Sequence, residues 1–243
     1  TCMALPTNQP INPLRNEGAL MRVTNQEQPM HPIYSYMFVT DAEEGLIVVN
    51  VNTLADGEPR NNHLNRAATW NPGGILNGAR FITLGGHYAY VLTPAALVIV
   101  DVDNPLAPAT VATLPLNDPR GAALQFRYLF VTDADGLKAI DVTRPTAPRL
   151  TERNVVPLAD AHNVFVSRTY AYVAAGRDGL VIVDVERPEA MRTYRAFDAD
   201  GRLRDARDVV VATTNASLFA SVADGSGGLK GGPPPSPELL PKF

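Results

Sequence analysis

The chain has 243 residues, of which 45% are hydrophobic and 19% are charged. Its mild net charge of −4, without a basic stripe, argues against nucleic-acid binding. No apolar run approaches the length of a membrane span, and the single cysteine, Cys2, excludes an internal disulfide. A start at Thr1 rather than Met favours a processed protein or a fragment, and either is compatible with export.

Residues 1–32 predict an irregular lead-in, because prolines interrupt them and no strand pattern repeats. Within this segment, residues 18–23 are expected to add one strand to the first or the last sheet of the fold. The regular part of the chain begins after Pro32.

One pattern then occurs four times. Two aromatic residues at alternate positions, such as Tyr88 and Tyr90, precede a polar turn and an apolar strand. That apolar strand is almost identical in residues 97–102 and 180–185. Weaker copies stand at residues 46–51 and 137–142. The leucines that open these strands, with Leu229 as a fifth candidate, are spaced by 51, 40, 43 and 49 residues, which is the length of a propeller blade.

Each apolar strand ends at a proline-containing turn, a polar strand follows, and a new apolar strand opens the next unit. One unit is therefore four antiparallel strands, and the fold class is an all-β propeller of four-stranded blades. The blades are placed at about 33–77, 78–120, 121–160, 161–204 and, in part, 205–230. Residues 231–243 form a Pro-rich tail, where an interior strand cannot continue. Either the lead-in completes the fifth blade or the parent protein is longer, and the truncated fifth unit favours the second.

The pentapeptides at residues 97–101 and 180–184 resemble those of the LVIVD-repeat family, and the resemblance covers about residues 33–230. It is weaker in the first unit, where Asn50 replaces the aspartate. The resemblance implies a β-propeller in bacterial and archaeal proteins that are mostly exported or on the cell surface, with no established enzymatic activity. The tail is similar to a segment of larger members, some of which are associated with multihaem c-type cytochromes.

The repeated aspartates Asp101, Asp141 and Asp184 look functional, but recurrence in every blade favours a role in the fold. We expect them to accept hydrogen bonds from the backbone of the following turn. The acidic turns at residues 41–45, 133–136 and 198–201 lack the ligand spacing of a calcium loop. The histidines are scattered and no nucleophile elbow occurs, so we predict no catalytic residue, no metal site and no cofactor.

The candidate binding site comes from departures from the repeat at the openings of the first strands. The sequence aligns Arg80, His162 and Arg207 with Ala123 of the third blade, and Asp160 and Asp205 stand two residues before His162 and Arg207. In a propeller these openings meet at one mouth of the central channel. The predicted polar ring would hold an anion, an acidic side chain of a partner, or water alone.

A second candidate is Trp70, the single tryptophan, in a long insertion at residues 52–77. An exposed aromatic side chain on a long loop is a frequent anchor of protein interfaces. Trp70 is therefore the interface candidate.

Three functions fit these observations. The first is a non-catalytic extracellular or cell-surface propeller that binds proteins, with docking on an extracellular multihaem cytochrome as its narrowest version; a periplasmic location is the alternative. The second is a hydrolase or lactonase-like propeller with a metal or anion site at the channel mouth. The third is a spacer segment of a larger surface protein.

Overall fold

The computed structural model describes residues 2–6, 31–54, 58–213 and 218–233. In this part of the chain all sheets are antiparallel, and we number the five of them blades 1–5 in chain order. The helical segments found there are 3₁₀ turns of three or four residues, and none is long and apolar enough to cross a membrane. These turns are Pro32–Ser35, Asn52–Leu54, Pro72–Gly74, Pro188–Ala190 and Gly225–Gly227.

The first compact unit, Thr1–Pro115, holds blades 1 and 2, each with four described strands in sequential order. Blade 1 consists of β1 (Cys2–Ala4), β2 (Tyr36–Asp41), β3 (Gly45–Asn50) and β4 (Asn65–Trp70). Blade 2 consists of β5 (Phe81–Gly85), β6 (Tyr88–Thr93), β7 (Ala96–Asp101) and β8 (Ala109–Pro115). One apolar cluster, which includes Phe38, Leu76 and Val98, joins the two blades.

The lead-in contributes a strand, β1, to this unit. Met3 pairs with Val39 and so places β1 at the edge of blade 1, next to β2. Residues 18–23, for which a strand was predicted, lie outside the described residues. β1 has no alternation of polar and apolar residues, and its place is set by pairing with β2.

The second compact unit, Leu116–Phe243, holds blades 3, 4 and 5. Blade 3 consists of β9 (Gly121–Gln125), β10 (Tyr128–Asp133), β11 (Gly136–Asp141) and β12 (Arg149–Pro157). Blade 4 consists of β13 (Val164–Ser167), β14 (Tyr170–Ala174), β15 (Leu180–Asp184) and β16 (Arg192–Phe197). Blade 5 has three described strands, β17 (Asp208–Thr213), β18 (Leu218–Ala223) and β19 (Leu229–Gly232).

The third strand of a blade is the centre of its packing. In β15, Val181 and Val183 belong to the apolar cluster shared with blade 3, whereas Leu180 and Ile182 belong to the cluster shared with blade 5. Successive side chains of a strand point to opposite faces, so a strand between two blades is expected to be apolar on both faces. Full burial of each such side chain stabilises the fold by roughly 1.5–3 kcal/mol.

The repeated aspartates cap the turns that follow the third strands, as predicted. Asp101, Asp141 and Asp184 each accept a hydrogen bond from the backbone N–H two residues later, at 2.8, 2.8 and 3.1 Å. Asn50 makes the same bond at 2.8 Å in blade 1, which explains how the amide replaces the aspartate there. These residues therefore stabilise the turns of the blades.

Blade 5 differs from the others at its third strand. The sequence placed Gly231 and Gly232 in the tail, but both belong to β19, which is four residues long and largely exposed. It nevertheless pairs with β18 from Leu229 to Gly232. Residues 234–243 of the predicted tail lie outside the described part of the chain.

Candidate functional site

The openings of the first strands are held by the same backbone contact in three blades. The N–H groups of Arg120, His162 and Arg207 each donate at 2.8 Å to a carbonyl oxygen of the second strand or its end. In the first unit, the N–H of Arg80 makes the matching bond to Leu92 at 3.0 Å. These four residues are therefore structurally equivalent.

The sequence alignment at this position was wrong for blade 3. It placed Ala123 opposite His162 and Arg207, but the equivalent residue is Arg120, three positions earlier. Gly121 and Ala122 match the Gly–Ala pair before Arg80, and this match shifts the sequence alignment of blade 3 by three residues. Counting back eight residues from the first aromatic residue of the second strand, which is Tyr128 in blade 3, would have found Arg120.

The openings of blades 3, 4 and 5 form one network of acids and bases, which we call the opening network. Its members are Asp118, Arg120, Asp160, His162, Arg207 and Asp205. Arg120 joins blade 3 to blade 4, since its Nε lies 3.1 Å from Asp118 Oδ2 and its Nη1 lies 3.2 Å from Asp160 Oδ1. The same Nη1 donates to the carbonyl of Ala161 at 3.1 Å. The predicted residues Asp160, His162, Arg207 and Asp205 are thus brought together in the second unit.

His162 joins blade 4 to blade 5 and has two competing partners. Its Nε2 lies 3.0 Å from Asp160 Oδ1 and 2.8 Å from Arg207 Nη1. A guanidinium can only donate and a carboxylate can only accept, so Nε2 serves one of them at a time. With a proton on Nε2 the ring donates to Asp160, and without it the ring accepts from Arg207.

Glycines and a buried carboxylate fix the acids of the network in place. A Cβ on Gly176 would lie 2.1 Å from Asp160 Oδ2, and one on Gly225 would lie 2.2 Å from Asp205 Oδ2. Asp224 accepts the backbone N–H groups of Asp205 and Arg204 at 2.7 and 2.8 Å. These two hydrogen bonds, that of Asp205 first, lower the pKa of Asp224 below its usual range. The opening of blade 5 is therefore anchored to a carboxylate that stays charged.

The charge balance of the opening network decides what it can bind. Two arginines and one histidine face three carboxylates, and Arg207 Nε already lies 2.6 Å from Asp205 Oδ1. An anion would have to compete with these carboxylates for the guanidinium groups. The network therefore mainly links neighbouring blades, and its role in ligand binding stays a prediction. Among the described residues no group of three or more His, Cys, Asp and Glu side chains is arranged to hold a metal ion.

The two remaining predicted residues belong to the first unit. Arg80 is half-buried and immediately precedes β5. Trp70 is the last residue of β4, where it pairs with Leu46, and its half-buried side chain packs against the apolar cluster of that unit. The sequence placed Trp70 on an exposed loop because it did not reveal β4 within the insertion. Its role as an interface anchor stays a prediction.

Repeated antiparallel sheets of four sequential strands, with the apolar strand third and packed on both faces, define a β-propeller. The family described as LVIVD repeat matches residues 78–114 and 159–192, which contain most of blades 2 and 4. The chain is therefore a propeller that carries LVIVD repeats. A comparison with curated proteins finds no significant match.

Solved structures share this fold at low sequence identity. A functionally unknown protein from Desulfotomaculum acetoxidans has a TM-score of 0.60 at 14% identity, covering 83% of this chain and 66% of that chain. The computationally designed Ika8 protein has a TM-score of 0.58 at 8% identity, covering 81% and 55%. The N-terminal domain of Nup159 has a TM-score of 0.50 at 13% identity, covering 77% and 50%. The chain thus spans between one half and two thirds of the length of these structures.

Proposed function

We propose that this propeller is a non-catalytic module that binds a protein partner outside the cytoplasm. The observation that carries the proposal is that the repeats share their core strands but differ in their exposed turns. Residues 97–101 and 180–184 are identical pentapeptides, but the turn before the second strand holds Gly86, Phe126 and Arg168 at equivalent positions. A constant scaffold with variable exposed turns is typical of proteins whose loops bind partners.

The location outside the cytoplasm is supported by the LVIVD repeats, whose family resemblance implies exported and surface proteins. The narrowest version of the proposal docks the module on an extracellular multihaem cytochrome. A c-type haem is not needed in this chain for that role, because the partner would carry the haems.

A second candidate is a structural segment of a larger surface protein. The exposed face of blade 5 favours it, because Val210, Phe219 and Leu229 are large apolar side chains in strands and all are exposed. A neighbouring sheet would bury them, as blade 4 buries Val209 and Val222 on the other face.

Cross-linking in the envelope fraction of the source cells, followed by mass spectrometry, tests the first candidate. We expect one dominant cross-linked protein, and the purified pair should form a stoichiometric complex in native mass spectrometry. A monomer that forms no complex with any cross-linked protein would overturn it. A stoichiometric metal together with hydrolytic turnover would instead favour an enzyme.

Cross-links confined to segments encoded in the same reading frame would favour the structural segment. Protease treatment of intact cells checks the location, since a surface module releases its peptides and a cytoplasmic protein does not.

A further inference from the structure

The turn between the first and second strands of blade 3 carries an unusual residue. Gly86, Phe126 and Arg168 occupy equivalent turn positions, with φ of 61°, 52° and 54°. This left-handed conformation suits glycine, and a bulky side chain is strained in it. Phe126 is nevertheless 94% exposed, so burial in this chain does not offset the cost. A strained and exposed aromatic residue of this kind points to a role in binding.

A basic pocket lies beside this turn. Its volume is 320 Å³, and its lining residues are Arg127, Asp141, Thr143, Arg144, Ala147 and Arg149. Arg127 stacks over the Tyr128 ring at 5.1 Å and donates to its hydroxyl at 3.1 Å, which fixes the guanidinium in position. The three arginines are exposed, and in the described part of the chain none of them forms an ion pair with a carboxylate.

The carboxylate that lines the pocket does not cancel the positive charge of its arginines. Asp141 accepts hydrogen bonds from the backbone N–H and the hydroxyl of Thr143, at 2.8 and 2.5 Å. These two bonds lower the pKa of Asp141, and Arg127 and Arg149 lower it further. Glu189 also acts electrostatically on Arg127, so two carboxylates face three arginines and the net charge of this surface stays positive.

This concentration of arginine is specific to blade 3. The equivalent positions in blade 2 are His87, Asp103, Asn104 and Ala109. Those in blade 4 are Thr169, Glu186, Arg187 and Arg192. In blade 4 the last arginine is neutralised, because its Nη2 lies 3.1 Å from Asp184 Oδ2. The fold forms without the three arginines in blades 2 and 4, so the fold does not require them in blade 3.

We propose that Phe126 and the pocket of Arg127, Arg144 and Arg149 form a docking surface for an acidic segment of a protein partner. Guanidinium groups bind carboxylates through paired N–H donors, and the exposed phenyl ring packs against an apolar side chain of the same segment. This proposal rests on the function proposed above and names the surface that performs it.

The test uses a short fluorescein-labelled peptide rich in glutamate with one central tryptophan, titrated with the whole chain by fluorescence anisotropy. The same peptide with alanine for tryptophan, and a lysine-rich version, are the comparison probes. R144A/R149A should weaken binding of the tryptophan peptide about tenfold. R187A removes the equivalent arginine of blade 4 and is the matched control, with an expected change below about twofold.

Phe126→Gly separates a binding role from a structural one. Glycine matches Gly86 of blade 2 and relieves the backbone strain, so the Tm should stay the same or rise. Binding of the tryptophan peptide should weaken several-fold, and binding of the alanine peptide should not change.

Equal binding of the glutamate and lysine peptides, or equal binding by wild type and R144A/R149A, would overturn the proposal. An F126G variant that binds the tryptophan peptide like wild type would also overturn it. If a cross-linked partner is retained by R144A/R149A, then only this docking surface fails. If the wild type has no partner, the proposed function itself fails.

Discussion

Blades 3 and 4 lie side by side in the second unit and differ at the centre of their third strands. Blade 4 has Val181 there, buried in the same apolar cluster as Ala175, whereas blade 3 has Lys138 at the same position and Asp133 in place of the alanine. Lys138 Nζ lies 2.5 Å from Asp133 Oδ2, and the carboxylate is fully buried. One repeat position thus holds either an apolar contact or a buried ion pair.

The charged form of Lys138 is stabilised because the turn of blade 3 supplies a second carboxylate, Asp135. Burial lowers the pKa of Lys138, but the hydrogen bonds with Asp133 and with Asp135, at 2.6 Å, outweigh it, and the pKa is raised overall. The hydrogen bonds from Lys138 and then Asn117 lower the pKa of Asp135. A charge is therefore tolerated at an apolar repeat position only with partners placed a few residues away.

Breaking this pair is the largest effect that we predict. K138V leaves the carboxylate of Asp133 buried without its partner and should lower the free energy of unfolding by about 3–5 kcal/mol. D133A/K138V copies Ala175 and Val181 of blade 4 and should recover most of that loss. Urea unfolding of the wild type, K138V, D133A and the double variant gives the coupling free energy. A double variant no more stable than K138V would contradict the comparison.

The openings of the two blades provide a smaller test. Arg120 of blade 3 reaches Asp118, Asp160 and the carbonyl of Ala161, whereas His162 of blade 4 offers one nitrogen to two partners. R120H should therefore lower the free energy of unfolding by about 1–2 kcal/mol, since half-buried hydrogen bonds to charged groups are lost. Urea unfolding measures it, with R187A as an exposed control. An R120H variant as stable as R187A would mean that the opening network does not link the blades.

The smallest effect concerns the capping aspartates. In blade 3 the hydroxyl of Thr143 donates to Asp141, but in blade 4 Glu186 has no hydroxyl, and Asp184 accepts its backbone N–H and the guanidinium of Arg192. T143A should raise the pKa of Asp141 towards its ordinary value and lower the free energy of unfolding by about 0.5–1 kcal/mol at neutral pH.

The sign of the pH dependence follows from the lowered pKa of Asp141. Its stabilising contribution is fully present above the pKa of the unfolded chain and is lost as the pH falls through the lower pKa of the folded state. The difference between wild type and T143A should therefore shrink in acid. NMR titration of the carboxyl group and urea unfolding at several pH values check both points. A difference that grows in acid would contradict the assignment.

The sequence predicted the elements that depend on local pattern. A continuous run of apolar, mostly β-branched residues indicates strands such as β7, and recurrence identified Asp101 as a cap. It missed features that depend on contacts between distant residues. β1 is defined by pairing across 36 residues, from Met3 to Val39, and Arg120 was hidden by Gly121 and Ala122.

The exchange of Val181 for Lys138 is visible in the sequence, but the sequence does not show that Asp133 and Asp135 face it across a hairpin. Trp70 was assigned to a loop because its strand, β4, is recognisable only from pairing with β3. In both cases the missing information is which neighbour a residue meets after folding.

The buried pair of Lys138 and Asp133 also constrains how this chain can evolve. Replacing either residue alone passes through a protein that is several kcal/mol less stable, whereas replacing both leads to the apolar solution of blade 4. Among relatives of this chain, the two positions should therefore change together, and a lineage that holds one charged residue without the other should be rare.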